Sequence, residues 1–205
     1  MAKQKVKAIL FDMDGVLIDS ANAWFYTMND TLQHFGFRKI TYKYFLKAFG
    51  SPIEEDAKTL FHGKTVKEIA DFYDARFKIR INKVKLFRDA MPTLRKLKAR
   101  RIKLALLTNS TRYITNLILN HFKLKKYFGA VVTMEDVKRS KPAPDLVIEA
   151  CKRLGVNARD TILVGDTKYD TIAGKRAGVV TVGYKVKGDY KVNRLKNIIN
   201  YVSNQ

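Results

Sequence analysis

Short apolar runs alternate with amphipathic segments at the start of the chain and throughout its second half. The apolar runs are residues 8–11, 103–107, 130–133, 162–164 and 180–183. The helical patterns between them are residues 90–100, 113–122, 145–154 and 171–177. Because strands that alternate with helices usually pair in parallel, the pattern predicts an α/β fold with a Rossmann-like parallel sheet flanked by helices.

Residues 20 to about 85 depart from this alternation, since they contain several helical patterns and no convincing strand. Two segments there match a capping box, in which a hydroxyl residue precedes a glutamate by three positions: Ser51 with Glu54, and Thr65 with Glu68. We therefore predict an all-helical cap at 19–85, inserted into a catalytic core formed by 1–18 and 86–205. Apolar positions on one face of 191–202 predict a closing helix docked on that core.

The composition is that of a soluble globular protein, with 46% hydrophobic and 29% charged residues. No apolar run reaches the roughly 18 residues that span a bilayer, and the N-terminus lacks the apolar stretch of a signal peptide. Cys151, the single cysteine, cannot form an internal disulfide. We therefore expect a cytoplasmic protein, a monomer or homodimer, with no membrane partner.

The chain carries a formal net charge of +21, from 40 basic and 19 acidic residues. A basic surface attracts anions, including phosphorylated metabolites and nucleic acid. No recognisable nucleic-acid-binding module or arginine–aromatic platform accompanies the charge. A general basic bias with solvated helix faces is the simpler interpretation, and we do not expect nucleic acid as a partner.

Two aspartates, Asp12 and Asp14, follow the first apolar run and precede Gly15. Alternate residues of an extended chain point the same way, so both carboxylates should project from the carboxyl end of a strand, where ligand sites of parallel sheets form. Carboxylates held together in an apolar setting repel each other unless a cation joins them. A hard ion such as Mg²⁺, with its preference for oxygen ligands, meets that need.

Three later strand ends carry further candidate residues. Asp166 and Asp170 follow one strand at a spacing of about one helical turn, so they can share a helix face. Thr108 and Asn109 follow another strand and offer a hydroxyl and an amide to a phosphate. Lys141 offers a compact positive charge suited to a phosphoryl oxygen.

Taken in order, these motifs resemble the four motifs of the haloacid dehalogenase superfamily, and most closely its phosphoglycolate phosphatase and beta-phosphoglucomutase-like branch. The motifs are Asp12-x-Asp14-Gly15, Thr108-Asn109, Lys141-Pro142 and Gly165-Asp166-(x)3-Asp170. The resemblance covers essentially the whole chain and is weakest in the cap and at the C-terminus. It implies the fold of that superfamily, a Rossmann-like sheet with an inserted helical cap.

The resemblance also implies a role for each motif residue. Asp12 would attack phosphorus to give an aspartyl-phosphate, and Asp14 would act as general acid and then as general base. Thr108, Asn109 and Lys141 would bind the phosphoryl oxygens and stabilise the transition state. The implied ligands of Mg²⁺ are the Asp12 carboxylate, the Asp14 backbone carbonyl, Asp166 and, directly or through water, Asp170.

These roles imply a Mg²⁺-dependent phosphatase of small phosphorylated metabolites, such as phosphoglycolate or sugar phosphates. A beta-phosphoglucomutase-type phosphomutase stays open as an alternative, because it uses the same motifs and returns the phosphoryl group to a second sugar hydroxyl. A basic nucleic-acid-binding protein on an enzyme fold is a further alternative, although every motif residue is present. A dehalogenase typically lacks the second aspartate, so Asp14 argues against that activity.

Overall fold

The computed structural model describes residues 6–202, with a six-stranded parallel sheet at the centre. The strands are β1 (Ala8–Phe11), β2 (Ile18–Asp19), β3 (Lys85–Leu86), β4 (Lys103–Leu107), β5 (Ala130–Val132), β6 (Thr161–Gly165), β7 (Val180–Tyr184) and β8 (Tyr190–Val192). The sheet order is β5-β4-β1-β6-β7-β8, and each neighbouring pair is parallel. The predicted fold class is confirmed, and the five predicted strands agree with the structure to within one residue at each end.

Some helices pack on the two faces of this sheet, and the others form the segment between β2 and β3. The helices are α1 (Ala21–His34), α2 (Tyr42–Ala48), α3 (Ile53–Thr59), α4 (Val66–Lys78), α5 (Ala90–Ala99), α6 (Arg112–His121), α7 (Asp145–Leu154) and α8 (Lys168–Ala177). Alternate residues of β1 divide between two cores, because successive side chains of a strand face opposite sides. Ile9 and Phe11 belong to one core, and Ala8 and Leu10 to the other. All four are fully buried, which explains the unbroken apolar run.

The segment between residues 20 and 84 contains α1 to α4 and no strand. Helices α1 and α4 meet through aromatic side chains, with Trp24 5.5 Å from Tyr73 and 4.7 Å from Phe77 between ring centroids. The short antiparallel pair of β2 and β3 lies where the chain enters and leaves this segment. The cap bounds 19–85, and the core bounds 1–18 and 86–205, stay a prediction. Residues 1–5 and 203–205 of those bounds lie outside the described residues.

One of the two predicted capping boxes forms and the other does not. At the start of α4, Thr65 Oγ1 accepts the Glu68 amide proton at 3.2 Å, and the Glu68 carboxylate accepts that of Thr65 at 2.8 Å. The box predicted for Ser51 and Glu54 is wrong. Helix α3 begins at Ile53, and the Ser51 hydroxyl instead donates to the carboxylate of Asp56 at 2.8 Å.

The predicted closing helix at 191–202 is confirmed only in part. Its first residues form β8 at the edge of the sheet, and a 3-10 helix, Leu195–Tyr201, follows. The buried Leu195 and Ile198 lie three residues apart, the spacing at which a 3-10 helix aligns its side chains. The apolar pattern therefore predicted correctly that this segment docks on the core, but it did not reveal the strand or that the helix is a 3-10 helix. No helix among residues 6–202 is long and apolar enough to cross a membrane.

We expect Thr65→Ala to lower the free energy of unfolding by about 1 kcal/mol, because the variant leaves the Glu68 amide at the start of α4 without its acceptor. Chemical denaturation followed by circular dichroism measures the change. Thr59→Ala is the control, since Thr59 lies at the exposed end of α3 and caps no N-terminus. Equal stability of Thr65→Ala and the unmodified protein would contradict a stabilising role for the box.

Candidate active site

The predicted site residues meet at one edge of the parallel sheet. Asp12 directly follows β1, Thr108 follows β4, and Asp166 follows β6. These three strands are neighbours and run parallel, so their carboxyl ends lie side by side. Lys141 joins them from the loop that precedes α7. Residues separated by more than 150 positions are thereby brought into one cluster.

Three carboxylates form the centre of the cluster. Asp12, Asp166 and Asp170 each place an oxygen within 4.8 Å of the others. The Lys141 ammonium lies 2.6 Å from an oxygen of Asp12 and 2.6 Å from one of Asp170. Burial lowers the pKa of this ammonium, but the two carboxylates raise it above its usual value. Lys141 therefore stays charged and offsets part of the negative charge of the cluster.

Lys141 forms no salt bridge with Asp166 among the described residues. Its Oδ1 is buried and has no hydrogen-bond partner in the part of the chain that the structure describes. Burial, together with the charges of Asp12 and Asp170, raises the pKa of Asp166 well above its usual value. Burial also raises the pKa of Asp12. An unpartnered oxygen beside two carboxylates fits a divalent cation that prefers oxygen ligands.

Two glycines allow the carboxylates to approach this closely. A Cβ atom on Gly15 would lie 1.9 Å from Asp166 Oδ2, and the φ of Gly15 is +78°. A Cβ atom on Gly165 would lie 2.1 Å from the Cβ of Asp170. Any larger side chain would therefore displace an acid of the cluster. Gly15 lies in the turn after β1, where its positive φ favours glycine, and Gly165 is the last residue of β6.

Asp170 reaches the cluster by a different route from the one predicted. Helix α8 begins at Lys168, so Asp166 precedes the helix and the two acids do not share a helix face. Asp170 is the third residue of α8 and forms a capping box with Thr167, whose amide and hydroxyl donate to Asp170 Oδ2 at 3.1 Å and 2.6 Å. Its other oxygen accepts from Lys141. This capping box thus leaves the other carboxylate oxygen of Asp170 facing the site.

Asp14 is held by a separate set of donors. The Ser20 hydroxyl and the Trp24 indole N–H, the latter at 2.9 Å, donate to its Oδ1, and the Ser110 hydroxyl donates to its Oδ2 at 3.2 Å. Burial nevertheless raises the pKa of the Asp14 carboxyl. Sequence reasoning assigned no role to these three donors. The sequence offers only proximity to a motif as an indication of their role. Ser110 directly follows Asn109, and Ser20 lies shortly after Gly15.

Thr108 and Asn109 are buried beside the cluster. The Asn109 side chain accepts the Lys141 amide proton at 2.8 Å and donates to the Lys141 carbonyl at 3.0 Å. It also donates to the carbonyl of Gly50 at 3.1 Å. Thr108 Oγ1 accepts from the Ser110 amide at 3.1 Å. Asn109 therefore positions the lysine loop and ties it to residue 50 of the helical segment.

A pocket opens from the cluster toward the helical segment. Its walls are Asp12, Asp14, Trp24, Met28, Phe45, Ala48, Phe49, Gly50, Ser51, Ile53, Asp56, Tyr73, Thr108, Asn109, Ser110, Lys141 and Thr167. The helical segment and the sheet domain also meet beside it, where the Tyr169 hydroxyl donates to Glu55 at 3.1 Å and the Thr111 hydroxyl donates to Asp74. Asp12 and Asp14 therefore face a space that α1 to α4 line on one side.

The sequence and the fold both have known counterparts. A family model described as haloacid dehalogenase-like hydrolase matches residues 9–184. The chain is 30% identical over 210 residues to the pyrophosphatase PpaX of Bacillus velezensis, covering 97% of each protein. It is 29% identical over 177 residues to the phosphoglycolate phosphatase of Aquifex aeolicus, covering 86% of this chain and 83% of that protein. The crystal structure of a hydrolase from Pseudomonas syringae has the same fold, with a TM-score of 0.85 at 19% identity, covering 95% of this chain and 96% of that one.

The raised pKa of Asp166 predicts how the metal-free protein responds to pH. Its folded form keeps a proton that the unfolded chain releases above the ordinary value of 3.8, so stability decreases as pH rises above that value. We expect Asp166→Asn to remove this loss and to raise the free energy of unfolding by about 1–2 kcal/mol in EDTA at pH 8.

Denaturation of both proteins in EDTA at pH 5 and pH 8 measures this effect. Asp71→Asn is the matched control, because Asp71 is an exposed acid on α4. A less stable Asp166→Asn protein at pH 8 would show that the unpartnered carboxylate carries no electrostatic strain.

Proposed function

The chain belongs to the haloacid dehalogenase-like hydrolases, and on that basis we propose a Mg²⁺-dependent phosphatase of small phosphate monoesters that forms an aspartyl-phosphate on Asp12. The observation that carries this proposal is the cluster of Asp12, Asp166 and Asp170. Lys141 contacts Asp12 and Asp170, and both Asp12 and Lys141 line the pocket beneath the helical segment. A buried group of acids with a single base has too much negative charge to accept a phosphate without a cation.

Asp12 is the proposed nucleophile. It lies at the end of the central strand, and its backbone amide donates to the Val164 carbonyl at 2.9 Å, which holds the residue in line with the sheet. Its side chain lines the pocket and contacts the Lys141 ammonium. The ammonium lowers the electrostatic cost of bringing a phosphate group up to a carboxylate. Attack of a carboxylate oxygen on phosphorus gives the acyl phosphate and displaces the alcohol.

Asp14 is the proposed acid and base. Its raised pKa favours a protonated carboxyl that can donate to the oxygen of the leaving alcohol. The same carboxylate, now deprotonated, takes a proton from the water that releases phosphate. The hydroxyls of Ser20 and Ser110 and the indole of Trp24 hold both its oxygens in place, so it keeps one orientation through both steps.

The proposed ligands of Mg²⁺ are the carboxylates of Asp12 and Asp166, the backbone carbonyl of Asp14 and, directly or through water, Asp170. The unpartnered Oδ1 of Asp166 and the close group of carboxylates support this assignment. Bound Mg²⁺ supplies positive charge that offsets the carboxylates and the phosphoryl oxygens. Thr108, Asn109 and Lys141 are the proposed phosphoryl-binding residues, and Asn109 also holds the lysine loop in place.

The helical segment is the proposed cap over the reaction. It supplies Trp24, Phe45, Phe49 and Tyr73 to the pocket walls, which exclude bulk water from the nucleophile. Opening of this segment would admit substrate and release product. The bounds proposed for it are 19–85, and the substrate proposed is a small phosphorylated metabolite.

The proposal predicts phosphate release from p-nitrophenyl phosphate that requires Mg²⁺ and stops in EDTA. Asp12→Asn should lower kcat by at least about a thousandfold, because an amide does not attack phosphorus. Asp19→Asn, an exposed acid on β2, is the matched control and should keep full activity. Equal rates in Mg²⁺ and EDTA, or an active Asp12→Asn protein, would overturn the proposal. A strict need for a sugar bisphosphate activator would assign the phosphomutase instead.

The two roles of Asp14 predict a kinetic signature. In Asp14→Asn the first step with p-nitrophenyl phosphate needs little protonation, because p-nitrophenolate is a good leaving group, whereas the hydrolysis step still lacks its base. We expect a burst of about one p-nitrophenolate per enzyme, followed by a steady rate lowered by roughly a hundredfold or more. Stopped-flow absorbance measures both phases. A linear time course at the unmodified rate would exclude Asp14 from the chemistry.

A further inference from the structure

A buried acid of the helical segment lines the same pocket as the catalytic residues. Asp56, the fourth residue of α3, has only 4% of its surface exposed. The Ser51 hydroxyl donates to its Oδ1 at 2.8 Å, and the Tyr73 hydroxyl donates to its Oδ2 at 3.1 Å. Each oxygen of a carboxylate can accept more than one hydrogen bond, so Asp56 has further capacity for a ligand in the pocket. The proposed chemistry assigns it no task.

Asp56 is buried without a cation. Within residues 6–202, no lysine, arginine or histidine forms a salt bridge with it. Burial raises its pKa to about 7, and the nearby Glu54 and Glu55 contribute in the same direction despite the two hydroxyl donors. A lone acid in such a setting disfavours any further negative charge beside it.

The rest of this wall also lacks a group that binds anions. Around Asp56 the helical segment presents apolar and aromatic side chains: Met28, Phe45, Phe49, Ile53 and Tyr73, with Trp24. Among the described residues that line the pocket, Lys141 is the single base, and it already contacts Asp12 and Asp170. Aromatic faces suit the C–H face of a sugar ring or a cationic group, and they do not suit a carboxylate.

We infer that the wall formed by Asp56 and its aromatic neighbours selects a leaving group that has no negative charge and offers a hydrogen-bond donor, as a sugar hydroxyl or an ammonium does. This inference rests on the proposed phosphatase function and narrows its substrate class. Glycolate and orthophosphate, the leaving groups of phosphoglycolate and pyrophosphate, are both anionic and would lie against an acid. The pocket therefore favours sugar phosphates over phosphoglycolate. The motif resemblance alone does not distinguish between these two substrates.

A substrate panel tests this preference. The values of kcat/KM with Mg²⁺ are measured for a hexose monophosphate and phosphoethanolamine on one side, and for phosphoglycolate and pyrophosphate on the other. We expect the better of the first pair to exceed both anionic substrates by on the order of tenfold. Asp56→Asn should reduce this preference several-fold or more, chiefly by raising kcat/KM for phosphoglycolate. Preference for either the hexose phosphate or phosphoethanolamine supports the inference.

Two control variants separate charge from shape. Asp71→Asn makes the same chemical change on the exposed side of α4 and should leave the preference unchanged. Ser51→Ala removes one donor to Asp56 but keeps the carboxylate, so it should keep the discrimination against anions. If Asp56→Asn does not fold, as judged by circular dichroism, the panel on the unmodified protein decides the question together with Ser51→Ala.

The outcomes distinguish this inference from the function it rests on. Faster turnover of phosphoglycolate or pyrophosphate than of the first pair would overturn the inference, while Mg²⁺-dependent hydrolysis of p-nitrophenyl phosphate would leave the phosphatase function in place. An unchanged substrate preference in a folded Asp56→Asn protein would also overturn it. No hydrolysis of any substrate with Mg²⁺ would instead refute the proposed function.

Discussion

The mutual repulsion of buried carboxylates is the constraint around which this molecule is built. Asp12, Asp166 and Asp170 each place an oxygen within 4.8 Å of the others, and the burial of Asp12 and Asp170 weakens the screening of their charges by water. The fold opposes that repulsion with Lys141, which contacts two of the three. Within residues 6–202, one oxygen of Asp166 has no hydrogen-bond partner. A bound cation would relieve this repulsion, and the proposed phosphatase chemistry depends on such a cation.

The same interactions connect the acids to the helical segment. The Asn109 side-chain amide forms hydrogen bonds with the backbone of Lys141 and with the carbonyl of Gly50. One amide therefore connects the lysine that contacts Asp12 to the helical segment. Trp24 makes a second connection, because its indole N–H donates to Asp14 while its ring packs between Tyr73 and Phe77. Movement of the helical segment would therefore alter the surroundings of Asp14, the proposed general acid, and of Lys141 together.

Local patterns predicted most elements, and their failures have physical causes. The alternation of apolar runs and amphipathic segments located five of the six strands in the parallel sheet, because burial on both sheet faces requires continuous apolar residues. The closing segment was predicted as one helix, but it contains the end of β8 followed by a 3-10 helix. The spacing of so few apolar residues does not distinguish a 3-10 helix from an α-helix. Ser51 matched a capping box by residue type, but its hydroxyl is taken by Asp56.

The sequence by itself determined the family, the strand-end motifs and the acids Asp12, Asp14, Asp166 and Asp170, because motif residues keep a fixed spacing from the strands that present them. Tertiary structure alone decided which side chains those acids contact. The partners of Asp14 and the place of Asp56 in the pocket depend on how α1, α3 and α4 pack over the sheet. Contacts between distant segments do not follow a fixed separation in sequence, because they form only when the helices and strands pack together.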